Sequence, residues 1–83
     1  MSESKIETAK GLSAVALTKY IMGIYDIPQD EAYKKLITME CYLLLMDDET
    51  RLYLEPDSYM QRCCEIELSS GKDALYEFIK TEE

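Results

Sequence analysis

The chain contains no histidine and no tryptophan, and it has only three glycines in 83 residues. Histidine is the commonest general acid–base group and the commonest metal ligand, so its absence excludes Ser-His-Asp and Cys-His sites within this chain. The glycines, Gly11, Gly23 and Gly71, are not spaced as a phosphate-binding loop. The composition therefore gives no support for a hydrolytic or nucleotide-binding function.

Positive charge is also scarce, with 9 Lys and Arg against 17 Asp and Glu, a net charge of -8. Nucleic acids and anionic membranes reward clustered cations, so we predict neither as a partner. The apolar-leaning run 12–25 is shorter than the roughly 20 residues of a membrane-spanning helix. The preceding residues lack the positive charge of a secretory signal. We therefore expect a cytoplasmic protein, whose acidity either keeps it soluble or forms a face for a basic protein.

Cysteine occurs three times, as Cys41, Cys63 and Cys64, without the spacing of a disulfide framework. This usage is typical of reduced intracellular thiols. A structural zinc site needs four ligands with spacing such as Cys-x-x-Cys, so we expect no metal. Because neighbouring residues on a helix point in different directions, we expect Cys63 to be buried and Cys64 to be the more open to modification.

An acidic run, Asp47-Asp48-Glu49, precedes the apolar triplet Leu52-Tyr53-Leu54. Calcium loops require alternating ligands and a central glycine, which this run lacks, so we expect no bound cation and no cofactor. We interpret the segment as a structural clasp. The carboxylates turn the chain, and Leu52 and Leu54 pack back onto the core with Tyr53 nearer the surface.

Apolar periodicity predicts a single all-α domain over residues 1–83, with four to five short helices and frayed ends at 1–4 and 81–83. A short irregular segment is expected near 50–56, with 50–54 extended rather than helical. Thr38 is expected to cap the third helix. The predicted helices cover about 5–24, the residues after Pro28, 39–46, 57 or 58 to about 68, and the residues after Gly71.

Seven of the eight aromatic residues are tyrosines. Tyrosine suits the half-buried positions of a small domain, but it is also enriched in protein interfaces. The first helix carries an apolar stripe wide enough to need covering on more than one side. We therefore predict a surface that binds a protein partner or a second copy in a homodimer, formed by Tyr20, Tyr25, Tyr53, Asp47, Asp48 and Glu49.

The middle of the chain, 28–68, resembles a group of short, uncharacterised bacterial proteins. The shared pattern consists of Glu31-Ala32-Tyr33, the Tyr42-x-x-Leu45 helix, and the acidic turn leading from Asp47 into Thr50-x-Leu52-Tyr53-Leu54-Glu55. The resemblance implies a small, mostly helical domain without an established activity. Some proteins of this kind are encoded beside toxin-like genes, which implies an antitoxin or other protein-binding role.

The main functional prediction is a non-catalytic protein-interaction or regulatory module, with no catalytic residues. Two alternatives stay open. One is an antitoxin-like inhibitor that docks its acidic surface on a basic protein encoded by a neighbouring gene. The other is a subunit that contributes residues such as Asp47 or Cys63 to a shared enzyme active site.

Overall fold

The computed structural model describes residues 3–82. Over this range two 3-10 turns, Asp48–Thr50 and Leu52–Leu54, join the third and fourth helices, and the described residues contain no strand. The predicted all-α fold is confirmed. In chain order the five helices are α1 (Glu3–Tyr25), α2 (Gln29–Leu36), α3 (Glu40–Met46), α4 (Asp57–Ser70) and α5 (Lys72–Glu82).

The described ends of the chain are helical, which differs from the frayed ends that we expected. Glu3 opens α1, where its carboxylate complements the positive end of the helix dipole, and the Thr8 hydroxyl donates to the Ser4 carbonyl at 2.9 Å. Near the end of α5, the Thr81 hydroxyl donates to the Glu77 carbonyl at 2.7 Å. The expectation for residues 1, 2 and 83 lies outside the described residues.

Helix α1 packs against α2, α4 and the second 3-10 turn. Part of its surface stays uncovered and apolar, since Leu12 is 67% exposed and Val15 is 50% exposed. The Thr18 hydroxyl is buried without loss of hydrogen bonding because it donates to the Ala14 carbonyl at 2.8 Å. The buried side mixes apolar and polar residues: Lys10, Ser13, Ala14, Leu17, Thr18 and Ile21.

Helix α4 lies at the centre of the fold, in contact with α1, α3 and α5. Cys63 and Cys64 are both fully buried, so the expectation that Cys64 would be the more open thiol is wrong. Neighbouring residues do point in different directions, but other helices cover α4 on more than one side. The helix ends at Gly71, whose φ of 90° and ψ of 174° form a conformation that favours glycine.

Helix α3 is held at its start by a side chain from α4. The Glu67 carboxylate accepts the backbone N–H groups of Glu40 and Cys41, each at 2.8 Å. The predicted cap, Thr38, instead donates its hydroxyl to the Lys35 carbonyl at 2.8 Å. A carboxylate at amides that have no partner within their own helix is a strong, charge-assisted arrangement.

We expected residues 50–54 to be extended, but the structure shows otherwise. Thr50 ends the first 3-10 turn, and Leu52–Leu54 form the second turn after Arg51. Arg51 adopts the left-handed conformation, with φ of 57° and ψ of 22°. The Thr50 hydroxyl fixes the bend, because it donates to the Leu44 carbonyl at 2.6 Å and accepts the Leu52 N–H at 3.3 Å. These local hydrogen bonds make the segment coil instead of extending.

The coiling decides which side chains of the triplet reach the core. Leu52 is buried, as predicted, but Leu54 is 56% exposed. Tyr53 is half-buried and packs against the core, so the order expected for Tyr53 and Leu54 is reversed. In an extended strand, alternate residues share a face, whereas a 3-10 turn places successive side chains about a third of a turn apart.

Candidate functional site

A groove runs along α1 between α2 and α3 and encloses about 550 Å³. We call it the α1 groove. On α1, its floor includes Gly11, Ala14 and Val15, none of which has a long side chain. Taken together, its lining residues are Glu7, Lys10, Gly11, Ala14, Val15, Thr18, Lys19, Met22, Gln29, Tyr33, Tyr42 and Met46.

Two tyrosines form one wall of the α1 groove. The rings of Tyr33 and Tyr42 meet edge to face, with centroids 6.5 Å apart and an interplanar angle of 86°. A hydrogen bond between the two hydroxyl groups raises the pKa of Tyr42. Tyr33 is 44% exposed. The wall therefore offers both aromatic surface and hydroxyl groups to a bound molecule.

Lys10 closes the end of the groove nearest the start of α1. Its side chain is buried, and its ammonium group donates to the Met46 carbonyl at 2.9 Å and to the Asp48 carboxylate. The ammonium also lies 5.7 Å from the centre of the Tyr53 ring. The hydrogen bond to Asp48 raises the pKa of Lys10 above its ordinary value. Lys10 is therefore a fixed cation at neutral pH and not a nucleophilic amine.

The predicted interaction residues lie in several places. Asp48 and Tyr53 meet at Lys10, beside the α1 groove. The carboxylate of Asp47 accepts the Glu49 N–H at 3.0 Å and so begins the first 3-10 turn, with both residues exposed. The structure therefore brings the acidic run and Tyr53 together at one end of the groove.

The other two predicted residues contact different elements. The Tyr20 hydroxyl donates to the Glu65 carboxylate of α4 at 3.3 Å. Tyr25, at the end of α1, lies under the Lys35 ammonium of α2, which is 4.7 Å from the ring centre. Neither residue lines the α1 groove.

Sequence reasoning missed the groove and the role of Lys10. One signal was present, since Lys10 lies on the same helical stripe as the buried residues Ala14, Leu17 and Ile21. A lysine on a buried stripe needs a partner, which indicates a contact with an acidic or carbonyl oxygen elsewhere. Which oxygen it meets depends on how α3 folds over α1, and this the local pattern does not contain.

The described part of the chain contains no group of three or more Cys, Asp and Glu side chains placed to hold a metal ion. Within the same residues, no helix is long and apolar enough to cross a membrane. Burial raises the pKa of the Cys63 thiol to about 11. A hydrogen bond with Cys64, together with burial, raises the pKa of Cys41. These two thiols are therefore poor nucleophiles at neutral pH.

No protein-family model matches the chain, and neither a curated protein nor a solved structure shows significant similarity to it. The resemblance to short bacterial proteins therefore stays a prediction, and function must be argued from the α1 groove.

Proposed function

We propose that the chain is a non-catalytic protein-interaction module and that the α1 groove is its binding surface. The observation that carries this proposal is the open apolar floor of the groove, where Val15 is 50% exposed and the neighbouring Leu12 is 67% exposed. Exposed apolar surface of this kind is typical of interaction sites. Tyr33 and Tyr42 add the aromatic side chains that are enriched in protein interfaces.

The chemistry of the groove supports binding rather than catalysis. Lys10 is its most buried charged residue, but its ammonium group is already occupied by the Met46 carbonyl and the Asp48 carboxylate. A general acid or base needs a pKa near the operating pH, whereas the pKa of Lys10 is raised from an already high value. We infer that Lys10 stabilises the end of the groove.

Site-specific photo-crosslinking tests the proposal. A benzophenone amino acid replaces Val15 in the groove in one variant and Leu54 in a control variant, because Leu54 is equally exposed but does not line the groove. In cells that naturally carry the gene, we expect a discrete adduct from position 15 and none from position 54. Equal labelling from both positions, or no adduct from position 15, would contradict the proposal.

A specific observation favours the antitoxin-like alternative as a second candidate function. Residues 47–57 hold five carboxylates and one arginine, a net charge of -4, which is half of the net charge of -8 carried by the whole chain. Such a concentration favours a basic partner. Co-expression with the product of the adjacent gene tests this antitoxin-like role, and failure of the two proteins to co-purify would contradict it.

We propose a cytoplasmic location as well, on the basis of three buried, reduced thiols.

A further inference from the structure

We propose that the occupant of the α1 groove is an amphipathic helix of a partner protein, lying antiparallel to α1 with a basic C-terminal end over the Asp47–Glu49 turn. This inference rests on the proposed function and specifies the partner that the groove accepts. Three features of the groove support it: its length, its apolar floor, and the placing of the acidic turn at one end with the exposed Lys19 farther along.

The dimensions of the groove fit a helix. Its lining residues on α1 run from Glu7 to Met22, which corresponds to about 22 Å along the helix axis, or about four turns. Gly11 and Ala14 leave room along the floor, Tyr33 and Tyr42 form one wall, and Met46 lies at one end. A partner helix would place anchors spaced at i, i+3, i+4 and i+7 along such a floor.

Charged side chains of opposite sign lie beside different parts of the groove. At the end nearest the start of α1, the groove residue Lys10 is bound by Asp48, so the acidic turn lies directly beside it. Asp47 and Glu49 are exposed there. Towards the other end, Lys19 is an exposed cation that lines the groove between Val15 and Met22. A partner whose two ends carry opposite charge therefore complements the groove in one direction only.

Helix electrostatics selects the direction. Acidic residues are favourable near the N-terminus of a helix and basic residues near the C-terminus. A partner helix with this distribution places its basic end on Asp47 and Glu49, and its acidic end on Lys19, only when it runs antiparallel to α1. A second copy of the chain is a weaker candidate, because each copy carries a net charge of -8.

Two fluorescent peptides of equal net charge test the inference. Both have about 15 residues, blocked termini and the same leucine face, matched to the length of the groove. The first peptide carries Glu in its N-terminal half and Lys in its C-terminal half, and the second carries the reverse. Anisotropy titrations should show that the wild-type protein binds the first peptide about tenfold more tightly at low salt, the combined effect of a few exposed ion pairs. The preference should shrink as salt is added.

Charge reversal in the protein supplies the decisive control. Lys19→Glu and Glu49→Lys change exposed side chains, and the double variant should invert the preference between the same two peptides. Val15→Asp should weaken the binding of both peptides, whereas Leu54→Asp should leave it unchanged. Equal affinity for the two peptides, or a preference that survives double reversal, would overturn the inference. If neither peptide binds while position 15 still crosslinks in cells, the proposed function stands and the charged-helix partner does not.

Discussion

The carboxylate of Glu67 on α4 accepts the backbone N–H of Cys41 on α3 at 2.8 Å. At the C-terminal end of α3, Lys10 donates to the Met46 carbonyl at 2.9 Å. A negative group therefore occupies the N-terminus of α3 and a positive group occupies its C-terminus, as the helix dipole favours. Because Tyr42 and Met46 of α3 line the α1 groove, these two contacts also fix the position of its wall.

Replacing Glu67 with Gln should lower the free energy of unfolding by about 1–2 kcal/mol, the range for losing a charged group that caps a helix. The amide keeps one acceptor oxygen, but it loses the charge and one of the two hydrogen bonds to α3. Urea unfolding followed by circular dichroism measures the change. Glu77→Gln is the matched control on an exposed site of α5 and should change stability by less than about 0.5 kcal/mol. Equal effects of the two substitutions would show that Glu67 does not support α3.

Replacing Lys10 with Met should lower the urea midpoint, because the substitution leaves the Met46 carbonyl and the Asp48 carboxylate without the ammonium group. Asp48→Asn should also be destabilising, since Asp48 is the partner of a buried cation. In a double-mutant cycle, the double variant should lose less free energy of unfolding than the sum of the losses of the two single variants. The reason is that both substitutions break the same interaction. Strict additivity would mean that Lys10 and Asp48 do not interact in solution.

Leu52 and Leu54 should respond differently to truncation. Leu52 is 5% exposed and Leu54 is 56% exposed. Leu52→Ala should cost about 2–4 kcal/mol, because it removes buried methyl groups and leaves a cavity. Leu54→Ala should cost less than about 0.5 kcal/mol, as for most surface changes. Thermal and urea unfolding of the two variants check this, and comparable losses for the two variants would restore the extended arrangement predicted from the sequence.

Stability should fall at alkaline pH partly because of Cys63. Burial raises the pKa of its thiol from 9.0 to about 11. The folded state therefore holds the thiol proton more tightly than the unfolded state. The stabilisation of the folded state that comes from this difference is fully present below pH 9.0 and is lost as the pH rises to about 11. Urea midpoints of the wild type should drop more steeply over this range than those of Cys63→Ala, and parallel curves would contradict the assignment.

Periodicity located the helices because each has a strong local signal, such as Pro28 before α2 and Gly71 after α4. The same signal placed Leu52 in the core correctly. It failed at Leu54 because a single positive φ at Arg51 turns the segment into a 3-10 coil. Nothing in the composition of 50–54 distinguishes such a coil from a short strand.

The α1 groove could not be predicted from local sequence patterns, for a different reason. Lys10 and Asp48 are 38 positions apart, and Glu67 is 26 positions from Cys41. These contacts depend on how α3 packs between α1 and α4, which is a property of the whole fold. Likewise, Cys64 is buried because α4 is covered on several sides, and a helix considered alone cannot reveal its neighbours.

The most direct test of the proposed binding surface is chemical-shift mapping of the isotope-labelled protein with the peptide that carries Glu first and Lys last. The largest amide shifts should cluster along the α1 groove, at Gly11, Val15, Lys19 and Tyr33, with α5 unaffected. Shifts that centre on α5, or that spread evenly over the molecule, would contradict the assignment of the α1 groove as the binding surface.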